Sequence, residues 1–100
     1  MFQPLDGPAK QFTMSVNTTT PQEVKVTTAL EDRQVVTIQP TDGKIWVYFG
    51  DGSTPLAATI VANGFPQVKN SFRSYEAGPR QPLWILSQSG TVTVKIAERA

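Results

Sequence analysis

The sequence predicts an all-β fold: an antiparallel β-sandwich of the jelly-roll kind, with seven to eight short strands and an N-terminal arm. Three observations lead there. Apolar residues recur with period two along most of the chain. Asp-Gly, Asn-Gly, Ser-Gly and proline-containing breakers interrupt these runs at short intervals, and no window sustains the i, i+3, i+4 spacing of an amphipathic helix. One hundred residues suffice for one ordinary domain, placed at residues 12–100, with residues 1–11 as the arm.

The arm carries two prolines and a glycine with few core candidates. A first strand is expected near 12–17 and a second over 22–29, opened by Pro21, in which Val24, Val26 and Thr28 alternate with Glu23, Lys25 and Thr27. Glu31-Asp32 separates this from a strand at 34–39, and Pro40-Thr41-Asp42-Gly43 turns the chain into the next, at 44–49. There Ile45, Val47 and Phe49 interleave with Trp46 and Tyr48, so both faces are apolar. Gly50-Asp51-Gly52-Ser53-Thr54-Pro55 turns again. The segment 56–61 reads as the weakest strand, because two alanines dilute it and a short helix competes. Strands follow at 67–75, 82–87 and 91–97. Leu83, Trp84, Ile85 and Leu86 are again apolar on both faces, whereas Val92, Val94 and Ile96 alternate cleanly with Thr91, Thr93 and Lys95. Two-sided strands need cover from a second sheet, a long loop or another subunit. Ser89-Gly90 reads as a two-residue loop joining the last two strands as a hairpin.

Composition narrows the function. The chain has no cysteine, so no disulfide, thiolate nucleophile or sulfur-ligated zinc is expected, and no histidine, so the commonest general base and metal ligand are missing. A net charge of +1 gives no electrostatic footprint for nucleic acid, and Arg73, Arg80 and Arg99 are too dispersed to track one. No stretch approaches the roughly 18–20 apolar residues of a membrane span, and Met1 to Asp6 lack the basic and apolar regions of a secretory leader. Assembly in a cytoplasm is the expectation.

The acids offer little chemistry. Asp42-Gly43 and Asp51-Gly52-Ser53 supply hard oxygens, but calcium wants six to eight, and turn preferences explain both pairs without an ion. Gly50-Asp51-Gly52-Ser53 lacks the following Gly-Lys-Ser/Thr and helix of a phosphate loop. Asp6, Glu23, Glu31, Asp32, Asp42, Asp51, Glu76 and Glu98 fall mostly in turns or on strand faces expected to be wet, poor settings for a general acid. A non-enzymatic protein with no cofactor and no metal is the reading. Trp46, Tyr48, Phe49, Phe72, Tyr75 and Trp84 all fall on expected strands. On residues alone they serve a core with partial cover of a second face, a subunit interface, or a platform for stacking sugars.

The stretch Gln34-Val35-Val36-Thr37-Ile38, then Gly43-Lys44-Ile45-Trp46-Val47-Tyr48-Phe49-Gly50-Asp51-Gly52, and the ending Pro82 to Ile96 with its Ser87-Gln88-Ser89-Gly90-Thr91, resemble small virion proteins of tailed bacteriophages, of the capsid decoration (cement) or head-fibre type. The similarity covers residues 34–97. It implies a structural protein on the outer capsid surface, a homotrimer whose partners are the major capsid protein and itself, with no nucleic acid or membrane partner. Phe2, Pro4, Leu5 and Phe12 are the expected capsid attachment residues, and Trp46, Tyr48 and Trp84 the expected subunit seam. The alternative is a carbohydrate-binding or host-recognition module of a virion fibre or tail, which predicts an exposed Trp or Tyr beside polar side chains in a shallow groove.

Overall fold

The computed structural model describes residues 9–24, 33–78 and 80–99. Its strands are β1 (Ala9–Val16), β2 (Gln22–Glu23), β3 (Val35–Pro40), β4 (Ile45–Phe49), β5 (Phe65–Gln67), β6 (Arg73–Glu76), β7 (Leu83–Ser87) and β8 (Val92–Arg99), with one helix, α1 (Ala57–Asn63), between β4 and β5. They form two four-stranded antiparallel sheets, ordered β1-β8-β3-β6 and β2-β7-β4-β5. The pairs β1·β8, β2·β7, β3·β6 and β4·β5 trace one long antiparallel ribbon folded back on itself, and β3·β8 and β4·β7 close it into two sheets. That is jelly-roll topology. Every connection between consecutive strands crosses from one sheet to the other except β4–α1–β5, where the ribbon doubles back.

Side-chain alternation places the core. Val92, Val94 and Ile96 of β8 and Val36 and Ile38 of β3 meet Ile45 and Val47 of β4 and Leu83 and Ile85 of β7 in the space between the sheets. Phe12, Met14 and Tyr75 pack against the margins of this cluster. The two-sided strands obtain their second cover from within the chain. Trp46 and Tyr48 of β4 and Trp84 and Leu86 of β7 form the outer face of their sheet, and α1 lies over it through Ile60 and Ala57. Hence every residue of β7 is buried.

The helix replaces the strand expected at 56–61. Ala57 and Ile60 sit three residues apart on the face that meets the sheet, while Val61 stays exposed, so the segment buries its apolar side at helical spacing. Leu56 carbonyl accepts hydrogen bonds from the amides of Thr59 and Ile60 at 3.0 and 3.2 Å, starting the turn with no side-chain cap. Gly64 ends it against β4: a Cβ there would lie 2.6 Å from the Ile60 carbonyl oxygen and 3.2 Å from that of Val47.

The strand expected at 67–75 is two strands in different sheets. Residues 68–72 carry the chain across, with Asn70 at φ 63° and its amide donating to the Pro40 carbonyl at 2.7 Å. The hairpin expected at Ser89-Gly90 is likewise a crossover: Gly90 has φ 64°, but β7 pairs with β2 and β4, and β8 with β1 and β3. The strand tips turn as anticipated; their inward residues then face each other across the core instead of sharing a sheet. β1 starts at Ala9, earlier than the expected 12–17, while residues 1–8 and most of the expected strand 22–29 lie outside the described residues. No helix among the described residues is long and apolar enough to cross a membrane.

Candidate functional site

Three surfaces and one buried brace hold the chemistry. The first surface is the sheet face under α1. The β4·β7 register sets Tyr48 opposite Trp84 and Trp46 opposite Leu86, so the expected seam residues Trp46, Tyr48 and Trp84 do share one face. Trp84, however, is only 8% exposed because α1 covers it, and Trp46 and Tyr48 are half-buried against the same cluster. The Trp84 indole nitrogen is buried without a hydrogen-bond partner. Its ring edge lies against Gly50, where a Cβ would approach Nε1 to 2.7 Å and Cδ1 to 2.8 Å. Of the expected attachment residues, Phe2, Pro4 and Leu5 lie outside the described residues. Phe12 belongs to β1, opposite Ile96, and is half-buried against the core.

The second surface is the side of the sandwich built by the edge strands β5 and β6. Of the six exposed large apolar side chains of the described residues, Phe49 and Phe65 meet here, whereas Leu56 and Val61 belong to the start and body of α1, and Val68 and Phe72 to the β5–β6 crossover. Phe49 packs edge-on to Phe65 with ring centroids 6.4 Å apart, and to Tyr75 at 6.0 Å, closing the gap between the two sheets. Phe65 is nevertheless 58% exposed and Phe49 40%. Beneath them, buried Gln67 anchors the side: its Nε2 donates to the Ile38 carbonyl at 2.7 Å, and its Oε1 accepts from the Tyr75 hydroxyl at 2.9 Å. Burial pushes the Tyr75 phenol above the ordinary value of 10.0, against the hydrogen bond and charge of Arg73.

The third surface is a groove of about 410 Å³ on the outer face of the β1-β8-β3 sheet. Gln11 and Thr13 of β1, Lys95 and Arg99 of β8, Thr37 and Gln39 of β3, and Phe72 from the β5–β6 crossover line it. The register explains the set: Gln11, Ala97 and Thr37 form one row across the sheet, and Thr13, Lys95 and Gln39 the next. Thr37 is buried and shares a 2.9 Å hydrogen bond with Ser74, so the row it belongs to forms a floor. The exposed ring at this groove is Phe72, 70% exposed, in place of the Trp or Tyr that a glycan-binding module led us to expect.

The brace is Arg33. Its guanidinium is buried and uses all five N–H donors: Nε to the Ala77 carbonyl at 3.1 Å, Nη1 to the Val24 carbonyl at 3.2 Å and Glu98 Oε2 at 2.8 Å, and Nη2 to the carbonyls of Gly78 and Gln81 at 2.8 and 2.7 Å. It ties the end of β2, the β6–β7 connection and β8 together. Glu98, expected among the wet carboxylates, is fully buried, with Oε2 paired to Arg33 and Oε1 unpartnered. The signal was its position: Glu98 continues the inward series Val92, Val94, Ile96. Asp51 follows turn chemistry, and Asp42 holds a neighbouring strand. Asp51 Oδ1 accepts from the Ser53 hydroxyl at 2.8 Å and from its amide at 3.2 Å, which holds the Asp51 carboxyl below its ordinary pKa, and Asp42 Oδ1 accepts from the Thr93 amide at 2.8 Å. Among the described residues, no three acids converge as a metal site.

Compared with known proteins, the chain matches no family model, no curated protein and no solved structure.

Proposed function

We infer that this chain is a structural virion protein of the decoration type, which binds the outer surface of a tailed-phage capsid as a homo-oligomer and bridges capsomers. The observation that carries the reading is the pair of exposed, mutually packed rings Phe49 and Phe65 at the β4–β5 margin of the sandwich. At about 150–250 Å² for a whole aromatic side chain, the exposed fractions of Phe49 and Phe65 amount to about 200 Å² of apolar surface. That is about a quarter of the roughly 800 Å² each partner contributes to a standard interface. A closed symmetric oligomer buries such a surface.

The resemblance over residues 34–97 supports the same reading and favours three copies. The proposed subunit seam then lies at Phe49 and Phe65, because α1 covers Trp84, and Trp46 and Tyr48 are half-buried on that same, opposite face. The arm residues Phe2, Pro4 and Leu5 remain the proposed capsid contact. Three arms on one trimer engage neighbouring capsomers together, so individually weak contacts gain by avidity and clamp the shell.

Co-sedimentation with shells assembled from the major capsid protein of the same virus tests this. Since β1 begins at Ala9, the informative deletion removes residues 1–8 and leaves every β1·β8 pair in place. The full chain should saturate the shells, and the deletion should stay folded but bind at least about tenfold more weakly. Unchanged affinity of the truncated protein removes the anchoring role, and failure of the full chain to bind shells removes the reading.

A further inference from the structure

We propose that the groove on the outer face of the β1-β8-β3 sheet is a binding site for an acidic oligosaccharide, one carrying carboxylates at intervals along the chain. The proposal is independent of the capsid reading and concerns a different surface from the Phe49/Phe65 contact. Four observations carry it.

The groove has the size of a ligand site: about 410 Å³, within the roughly 300–1,000 Å³ typical of small-molecule clefts. Among the described residues its only charged lining residues are Lys95 and Arg99, and no acid lines it. The nearest described acid on that face by register is Glu76, separated from Arg99 by Val35. Glu98, between Lys95 and Arg99 in sequence, points inward to Arg33. The potential of the groove is therefore positive without a balancing carboxylate in the lining.

The spacing of the two cations selects the kind of anion. Four residues along β8 place them about 13 Å apart, at roughly 3.3 Å per residue. With their Cα atoms that far apart, the two side chains suit negative charges distributed along an extended molecule. Ala97 stands between them on the same face, and with buried Thr37 beside it leaves the middle of the trough open. The remaining lining suits a polyol. Gln11 and Gln39 each offer an amide donor and acceptor, Thr13 a hydroxyl, and Phe72 an exposed ring for the apolar face of a sugar. Nucleic acid fits less well: two separated cations and one ring provide neither a phosphate track nor a run of stacking platforms.

The test is calorimetric titration of the full chain, without shells, using oligogalacturonate, hyaluronan oligosaccharides and oligomeric sialic acid, with neutral cello-oligosaccharides and a single-stranded oligonucleotide as comparators. Failure here therefore leaves the capsid reading standing. At least one carboxylated oligosaccharide should bind, weakening with added salt, and the neutral oligomers should bind at least about tenfold more weakly. The Lys95→Gln/Arg99→Gln variant should lose at least about tenfold in affinity while unfolding at the wild-type denaturant concentration, since both side chains are exposed. Phe72→Ala should weaken every sugar that binds. Silence with all three acidic sugars overturns the proposal, as does equal binding of neutral oligomers, preference for the oligonucleotide, or affinity unchanged in the Lys95/Arg99 variant.

Discussion

Replacing Arg33 by methionine should cost this protein a large fraction of its stability. Five hydrogen bonds end on that guanidinium, four of them at backbone carbonyls and one at the fully buried Glu98. Removing one partner of a buried ion pair costs about 3–5 kcal/mol, because the remaining charge is left without compensation. The carbonyls of Val24 and Ala77 lose buried bonds as well, at about 1–3 kcal/mol for each group left unsatisfied, while those of Gly78 and Gln81 are partly open to water. The expected loss, at least about 4 kcal/mol, is comparable to the whole stability of a small domain, about 5–15 kcal/mol. With a urea m-value near 2 kcal/mol/M it moves the unfolding midpoint down by about 2 M. Urea unfolding followed by Trp fluorescence and circular dichroism reads this. The double variant Arg33→Met/Glu98→Leu should recover about 2 kcal/mol or more over Arg33→Met, because the stranded carboxylate is gone while the carbonyls remain unsatisfied. A midpoint shift below about 0.5 M for Arg33→Met, or a double variant no more stable than the single, would refute the brace.

Other consequences follow from the same contacts. The raised pKa of Tyr75 means that the folded state holds its proton more tightly than the unfolded chain. The stabilisation is therefore complete below pH 10.0 and is lost as pH rises through the folded value; Tyr75→Phe should flatten this alkaline limb of a stability–pH curve. Gly50→Ala drives a methyl into the Trp84 ring edge and should cost about 1–3 kcal/mol by denaturant titration, with a neutral outcome showing that the indole moves freely. Ile60→Ala empties the fully buried contact between α1 and the sheet, with an expected loss of about 2–5 kcal/mol. Tryptophan emission should shift to the red as Trp84 and Trp46 meet water, and an unshifted spectrum would contradict the placement of the helix.

What could be read from the sequence was the alternation, because a half-buried strand exposes its faces residue by residue. β8 is the clearest case: Val92, Val94 and Ile96 are inward as expected, but the expected strand stopped at 97 and Glu98, which continues the same parity into the core, was placed among the wet carboxylates. Sheet membership was not legible. A glycine at positive φ serves a hairpin and a crossover equally, so Ser89-Gly90 gave the turn but not the change of sheet, and Asn70 hid the break between β5 and β6. The helix α1 competed with a strand in the sequence and lost because it has no capping side chain, three β-branched residues in Thr59, Ile60 and Val61, and only seven residues. Its stability comes from seating Ile60 on Trp84 and Leu86, a tertiary contact that local propensity does not encode. The aromatics show the same limit. Trp46, Tyr48 and Trp84 were read correctly as a shared second face, but only the fold reveals that α1 covers them and that Phe49, Phe65 and Phe72 are left outside. The groove needs three strands in register before Gln11, Thr37, Lys95 and Arg99 become neighbours.

Whether the apolar β5–β6 side is an assembly surface is tested most directly by native mass spectrometry of the purified protein across a dilution series, beside the Phe49→Ser/Phe65→Ser variant. A wild-type trimer persisting on dilution, with the variant monomeric yet folded, is the expected result. A wild-type protein that is monomeric at every concentration, or a variant that keeps the same oligomer, would contradict it.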